Sequence, residues 1–233
     1  MNSVPKYAEI VSFFYNRRPE RGHFFTLDMK DKSARPLTGN SEDAVSRCVD
    51  YIENGFRIAS AVSLIPNVID MRRYEKTDAA GILGRLDESV IFSSQMLIVS
   101  ENNSVDAENI VGLIGEKVLK VPNVIVSNNN GKLFLVWRTV THTRLELWRS
   151  AQDGLEAHYR GALGDAVMAA ISPIHGVPLV SILDGEVGTT IRRSSYVLYK
   201  NDTIFSVDDF IGATQSDALE RKSKKPAKQK VNV

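Results

Sequence analysis

The sequence predicts an α+β fold: a single domain with a central, mainly antiparallel or mixed sheet that is flanked by helices. Apolar stripes at helical spacing alternate along the chain with short apolar runs of strand length. Two of these runs are separated by Asn-Asn-Asn-Gly at residues 128–131, which is typical of the turn of an antiparallel hairpin. No stretch rich in proline, glycine and serine divides the chain, so we expect one domain over residues 1–220.

The first half of the chain contains three predicted helices, of which the last is a short one capped by Thr77 or Asp78, and three predicted strands. Asn40 has the side chain of a good helix N-cap, and Asp43 places a negative charge in the first turn behind it. The segment 94–100 contains a continuous apolar run, which is typical of a central strand. In chain order we expect a helix over 6–15, a strand over 23–29, a polar loop over 30–40, a helix from Asn40 to Asn54, and strands over 56–64 and 94–100.

The second half of the chain continues with helices and with the hairpin. Ser104 is the predicted N-cap of a helix that ends before Pro122. Gly164 and Asp165 interrupt the helical pattern that precedes them. We expect strands over 123–127 and 133–139, a long helix over 144–163, strands over 177–183 and 195–199, and a short helix over 206–212.

The composition excludes several classes of protein. The chain is 43% hydrophobic and 24% charged, which is average for a soluble globular protein. It contains no apolar run near the length of about 20 residues that spans a bilayer. A single cysteine, Cys48, excludes an internal disulfide and leaves too few sulfurs for a cysteine-based zinc site. We therefore expect a cytoplasmic protein, in the host cytoplasm if its source is viral, with no membrane partner.

The charge is distributed unevenly along the chain. Six of the 29 basic residues lie in residues 221–233, which contain no acidic residue, so residues 1–220 hold 23 basic and 28 acidic residues and a net charge of −5. A lysine-rich segment with so few apolar residues predicts a disordered tail. Lys222, Lys224 and Lys225 are candidate contacts to the phosphates of a nucleic acid. The alternative interpretation is a tail that only increases solubility.

The motifs of common enzymes are missing from the sequence. It contains no phosphate-binding P-loop, no dinucleotide fingerprint, no zinc-protease motif and no nucleophile elbow. None of the four histidines forms a pair at the spacing of metal ligands, so each is expected to be structural. Trp137 lies in an apolar strand and Trp148 on the apolar stripe of a helix, so both are expected in the core rather than stacked on bases.

One segment of the sequence is similar to a known family. Residues 122–137 read Pro-Asn-Val-Ile-Val-Ser-Asn-Asn-Asn-Gly-Lys-Leu-Phe-Leu-Val-Trp. This string resembles the central hairpin of plasmid replicases and primase-polymerases of the archaeo-eukaryotic primase superfamily. The order of the surrounding elements is similar as well, with a strand, a helix, the hairpin and then a helix that carries a tryptophan. The resemblance covers roughly residues 55–200 and implies a primase-like core related to the RRM fold.

The resemblance implies a degenerate catalytic centre. The positions of the family's acidic pair are occupied by Ser100 and Asn102, and the position of its nucleotide-binding histidine is occupied by Phe134. Asp165 matches the position of the third carboxylate. Because the chemistry requires carboxylates that hold Mg²⁺, a chain without the acidic pair is expected to bind nucleic acid without extending it.

An enzymatic alternative remains open at this stage. Glu101 and Asp165, together with Asp106 and Asp184, are candidates for a rearranged acidic site of an active primase or polymerase. Only in that case do we expect a cofactor, Mg²⁺ or Mn²⁺. A further alternative is a viral or cytosolic protein–protein interaction module whose acidic body binds a protein partner.

The leading hypothesis is a replication-associated nucleic-acid-binding protein of a virus or plasmid. Its partners are the backbone of DNA or RNA and other replication proteins. Besides the three tail lysines, the candidate phosphate contacts are Arg72, Arg73, Lys132, Arg192 and Arg193. Lys132 lies at the hairpin turn, Arg72 and Arg73 lie in a predicted loop, and Arg192 and Arg193 lie between a predicted turn and the strand predicted over 195–199.

Overall fold

We describe the fold from a computed structural model of the chain. The described residues are 5–16, 23–28, 33–54, 61–70, 90–102, 104–170, 172–184 and 190–211. Within these residues no helix is both long enough and apolar enough to cross a membrane.

Four α-helices lie close to the predicted positions. They are α1 (Tyr7–Tyr15), α2 (Ser41–Asn54), α3 (Ala107–Gly115) and α4 (Leu145–Leu163). The cap of α2 is confirmed, because the Asn40 side chain accepts a hydrogen bond from the backbone N–H of Asp43 at 2.9 Å. The prediction of Ser104 as the cap of α3 was wrong. Asp106 has the extended backbone of an N-cap, and its carboxylate accepts from the N–H of Asn109 at 2.7 Å.

The first of two sheets contains five strands. These are β1 (Phe25–Asp28), β2 (Ser33–Pro36), β3 (Val62–Leu64), β9 (Val177–Asp184) and β10 (Thr190–Ser194). The strands are arranged in the order β10-β9-β3-β1-β2, and neighbours are antiparallel. Strand β2 lies in the segment predicted as a loop. Its strand conformation depends on pairing with β1, since Ser33–Pro36 carries little apolar alternation of its own.

The second sheet contains the predicted hairpin. Its strands are β4 (Val68–Ile69), β5 (Val90–Ser100), β6 (Val124–Ser127), β7 (Lys132–His142), β8 (Val167–Ala169) and β11 (Tyr196–Lys200). The order is β11-β6-β7-β5-β4, and β8 pairs with the last part of β5. All of these pairs are antiparallel. The predicted α+β class is therefore confirmed, with the strands divided between two sheets.

The two sheets are joined at both sides. Strand β10 of the first sheet continues into β11 of the second through Ser195, which is buried and donates its backbone N–H to the carbonyl of Leu179 at 2.9 Å. On the other side, His23 forms a bridge with Ile69 of β4. The sheets therefore curl around a common interior.

Apolar cores cover both faces of the second sheet. On one face, Ile98 and Phe134 pack with residues of α1, α2 and the first sheet. On the other face, Val99 and Leu135 pack with α3 and α4. This alternation follows from the period of two along a strand. The prediction that Trp137 and Trp148 are core residues is confirmed, because both side chains are buried.

The end of the described chain returns to α4. A helical turn over 208–211 lies on this helix, and Phe210 is fully buried there. Gly154 permits the approach, since a Cβ atom at this position would lie 2.3 Å from the backbone oxygen of Phe210. The Lys120 side chain contributes a second contact, because its ammonium donates to the carbonyl of Asp209.

Candidate nucleic-acid interface

The turn between β6 and β7 is held in a fixed conformation. The side-chain oxygen of Asn128 accepts from the backbone N–H groups of Asn130 at 2.9 Å and Lys132 at 3.2 Å. Asn129 and Gly131 adopt φ angles of 57° and 67°, the left-handed conformation that asparagine and glycine tolerate best. The carbonyl of Gly131 accepts from the N–H of Glu101 at 2.9 Å, so the turn is also tied to the end of β5.

Two of the predicted phosphate contacts meet at this turn. The Lys132 side chain is exposed at the first position of β7. Arg193 of β10 donates from its guanidinium to the carbonyl of Asn129 at 2.6 Å. The structure therefore places Lys132 and Arg193, which are 61 positions apart in the sequence, at the same turn. Arg192 precedes Arg193 on the same strand and is paired with Ile182 of β9.

A cleft opens beside the turn, between the two sheets. Its volume is about 320 Å³. The second sheet contributes residues of the hairpin, and the first contributes residues of β3 and of the segment leading into β9. The lining residues are Ser63, Asn128, Lys132, Phe134, Ile174, His175, Gly176 and Pro178. The charged or titratable groups among these described residues are the Lys132 ammonium and the His175 imidazole, and none of them is a carboxylate.

The electrostatics of the cleft favour an anion. Burial lowers the pKa of His175 below its usual value, and the positive charge of Lys132 lowers it further. A bound anion would be attracted by the positive charge of Lys132, and it would favour protonation of the His175 imidazole, which then becomes a second cation. Phosphate oxygens also accept hydrogen bonds from amide and hydroxyl donors such as those of Asn128 and Ser63. The cleft therefore has the chemistry of a phosphate site rather than that of a cation site.

Phe134, at the position where the resemblance implies a nucleotide-binding histidine, lines the cleft. Ser100 at the end of β5 is paired with Lys132, and Ile98 is paired with Phe134. Strand alternation therefore places Ser100, Lys132 and Phe134 on one face of the sheet. Asn102 has a different environment, because its side-chain oxygen accepts from two backbone N–H groups of the following turn, both at 2.9 Å.

Of the candidate acidic residues, Glu101, Asp106 and Asp165 are described and do not line the cleft. Glu101 follows β5, and strand alternation directs it to the face opposite Ser100. Asp165 is fully exposed in the turn after α4, 3.7 Å from the guanidinium of Arg160. Asp106 caps α3, and Asp184 ends β9. Over the described ranges of the chain, no three residues of the types His, Cys, Asp and Glu are grouped closely enough to hold a metal ion.

Several predicted contacts lie outside the described residues. These are Arg72 and Arg73 and the tail residues Lys222, Lys224 and Lys225. The predicted strand residues 56–60 also lie there. The structure therefore does not test these predictions.

Sequence reasoning missed part of the cleft. His175 was expected to be an ordinary structural histidine, and Ser63 and Gly176 were not singled out at all. Gly176 is needed where β9 begins, because a Cβ atom there would lie 2.5 Å from the Cβ of Ser63. The cleft combines three segments that are distant in sequence, so no local motif marks it. The Asn-Gly turn was the one local signal that pointed to this region.

Comparisons with known proteins give one structural likeness. No protein-family model matches the sequence, and no curated protein matches it. Among solved structures, the chain is similar to the AEP domain of the primase-polymerase (PrimPol) of cyanophage S-2L. The match covers 89% of this chain and 96% of that one, with 10% sequence identity and a TM-score of 0.46. At this level the likeness assigns neither an activity nor a site to the chain.

Proposed function

We propose that this protein is a replication-associated nucleic-acid-binding domain of a virus or plasmid, with a primase-like core and without polymerase chemistry. The observation that carries the proposal is the cleft beside the β6–β7 turn. Its described lining contains Lys132 and His175 and no carboxylate, and Arg193 lies at the adjoining turn. The sequence resemblance of residues 122–137 supports the same assignment.

The cations at the turn have a clear role in this proposal. The backbone of a nucleic acid passes over the turn, and its phosphates contact Lys132 and Arg193. Such contacts fix the position of the strand and are independent of its sequence. Arg72, Arg73, Arg192 and the tail lysines add further phosphate contacts. The Arg193 guanidinium has donors left after its bond to Asn129, since an arginine carries five N–H groups.

The proposal is tested by fluorescence anisotropy of labelled single-stranded and double-stranded DNA and RNA across a salt series. The full chain is compared with Lys132→Gln and Arg193→Gln. For a single strand, each variant is expected to reduce the slope of log Kobs against log salt by about 0.7, because one phosphate contact is lost. Arg149→Gln is the matched control. Arg149 is exposed on α4 at the opposite face of the sheet, so its removal is expected to leave the slope unchanged.

A third variant distinguishes the contribution of the tail to binding from that of the cleft. Lys222, Lys224 and Lys225 are replaced by glutamine in the full chain. Binding that persists in this variant and remains sensitive to Lys132→Gln assigns the interface to the domain. If binding is lost in this variant but is unaffected by Lys132→Gln and Arg193→Gln, the assignment to the cleft is refuted. The proposal as a whole fails if no nucleic acid binds in a salt-dependent manner.

The absence of polymerase chemistry is tested separately. Primer extension and primer synthesis are measured with Mg²⁺ and with Mn²⁺ on several templates. We expect no incorporation of nucleotides. Incorporation that is lost in Asp165→Ala or Glu101→Ala would instead establish the rearranged acidic site.

A further inference from the structure

A wide groove lies between α1 and α2. Its volume is about 1270 Å³. Apolar side chains of both helices and of β11 line it, namely Ala8, Val45, Val49 and Val197. Tyr196 adds an aromatic ring, and the ammonium of Lys6 lies 5.4 Å from the centre of this ring. The groove is therefore a shaped surface that combines apolar area with polar groups.

Carboxylates dominate the charge of this groove. Its described lining contains Glu9, Glu42, Asp50 and Glu53, and Lys6 is the one cation among the same residues. Two of the carboxylates have partners, since Glu9 contacts the ammonium of Lys200 at 2.6 Å and Glu53 accepts from the hydroxyl of Tyr7 at 2.8 Å. In the described part of the chain, Glu42 and Asp50 make no such contact. They are available to a cationic partner.

The chain contains a segment of matching charge. Residues 221–233 hold six basic and no acidic residues, and their last three residues are Val231, Asn232 and Val233. A segment of this kind presents ammonium groups to the carboxylates and a few apolar side chains to the apolar lining. The opposite charge also distinguishes this groove from the cleft at the hairpin turn, where Lys132 would repel the tail.

The tail is long enough to reach the groove. The last described residue is Ile211, and nine residues, 212–220, connect it to the basic segment. Fully extended, residues 212–230, up to the last lysine of the tail, span about 60 Å. A compact domain of this size has a radius of gyration of about 17 Å, and hence a diameter of about 44 Å. The later lysines of the tail can therefore reach the groove from the α4 side of the second sheet.

We propose that the C-terminal basic tail, residues 221–233, binds in the acidic groove between α1 and α2 of its own chain. Glu42 and Asp50 receive the ammonium groups of the tail. The docked tail is withheld from nucleic acid, and a polyanion that competes for its lysines releases it. The binding is electrostatic at the protein surface, so it weakens as salt is added. This inference does not depend on the proposed function, because the tail and the groove belong to the same chain.

The test uses the full chain with a spin label at its end. Val233→Cys supplies the attachment point. Cys48 does not compete for the reagent, because it is buried and burial raises the pKa of its thiol to about 12. Paramagnetic broadening of backbone amide signals then reports which surface the label approaches. At low salt we expect a selective loss of intensity for Ser12, Val45 and Val49, and recovery of these signals at high salt.

Charge variants identify the groove as the binding site. Glu42→Gln with Asp50→Asn is expected to restore the broadened signals of α1 and α2. The matched control is Glu108→Gln with Glu146→Gln, which removes two exposed carboxylates from α3 and α4 and is expected to leave the broadening in place. Broadening that is absent from α1 and α2, or equal over the whole surface, would overturn the proposal.

A mixing experiment distinguishes the chain's own tail from that of a second copy. Spin-labelled chains without isotope are mixed with isotope-labelled chains that carry no spin label. Intramolecular docking predicts no broadening in this mixture. If broadening of α1 and α2 appears only in the mixture, the groove binds the tail of another molecule and the intramolecular proposal is refuted.

Discussion

Gly154 in the middle of α4 offers a sharp test of how the end of the described chain packs. In an open helix, replacing glycine by alanine stabilises the fold by about 1 kcal/mol, because alanine has the higher helix propensity. At Gly154 the new Cβ atom would lie 2.3 Å from the backbone oxygen of Phe210 and 3.2 Å from its carbonyl carbon. A backbone oxygen cannot move aside as the end of a flexible side chain can. Gly154→Ala must therefore displace the turn over 208–211.

The magnitude follows from two opposing effects. Overpacking of this kind costs about 1–3 kcal/mol, and lifting Phe210 away from α4 exposes a ring that is fully buried. The gain in helix propensity offsets about 1 kcal/mol of this. We expect Gly154→Ala to lower the free energy of unfolding by about 1–2 kcal/mol, or the melting temperature by roughly 2–8 °C.

Gly161 is the matched control in the same helix. A Cβ atom at this position would meet no atom within 4 Å. Gly161→Ala is therefore expected to stabilise the protein by up to about 1 kcal/mol. Both variants are compared with the unmodified chain by thermal and urea unfolding, followed by circular dichroism. If Gly154→Ala is as stabilising as Gly161→Ala, the turn over 208–211 does not pack on α4 and the reasoning is refuted.

Two further predictions concern the cleft. The folded-state pKa of His175 is lowered by burial and by Lys132, so the neutral imidazole stabilises the fold. That contribution is complete above the unfolded pKa of about 6.5 and is lost as the pH falls through the folded pKa. The slope of melting temperature against pH below about 6.5 should therefore decrease in His175→Gln; an unchanged slope would contradict this. At Gly176, alanine would place its Cβ 2.5 Å from that of Ser63, so Gly176→Ala should destabilise the fold and Ser63→Gly should restore part of the loss. Purely additive effects of these two changes would show that the close approach does not exist.

Local chemistry explains why much of the secondary structure was predictable. The cap at Asn40 needs only its own side chain and the N–H of Asp43, three residues away. The turn at Asn128–Gly131 likewise depends on asparagine and glycine, which accept left-handed backbone. Where two nearby residues can both serve as a helix N-cap, the sequence does not distinguish between them. Asp106 rather than Ser104 caps α3 for this reason, since either side chain can serve as a cap.

Residue types and short spacings were enough to predict the α+β class, the hairpin and the uneven distribution of charge. Which charged groups lie close together became visible in the three-dimensional structure alone. It places Arg193 on the turn beside Lys132, brings His175 into the same cleft, and leaves Glu101 and Asp165 outside it. The packing of the two sheets against each other makes neighbours of residues that are distant in sequence. A surface assembled in this way has no signature in any one segment of the chain.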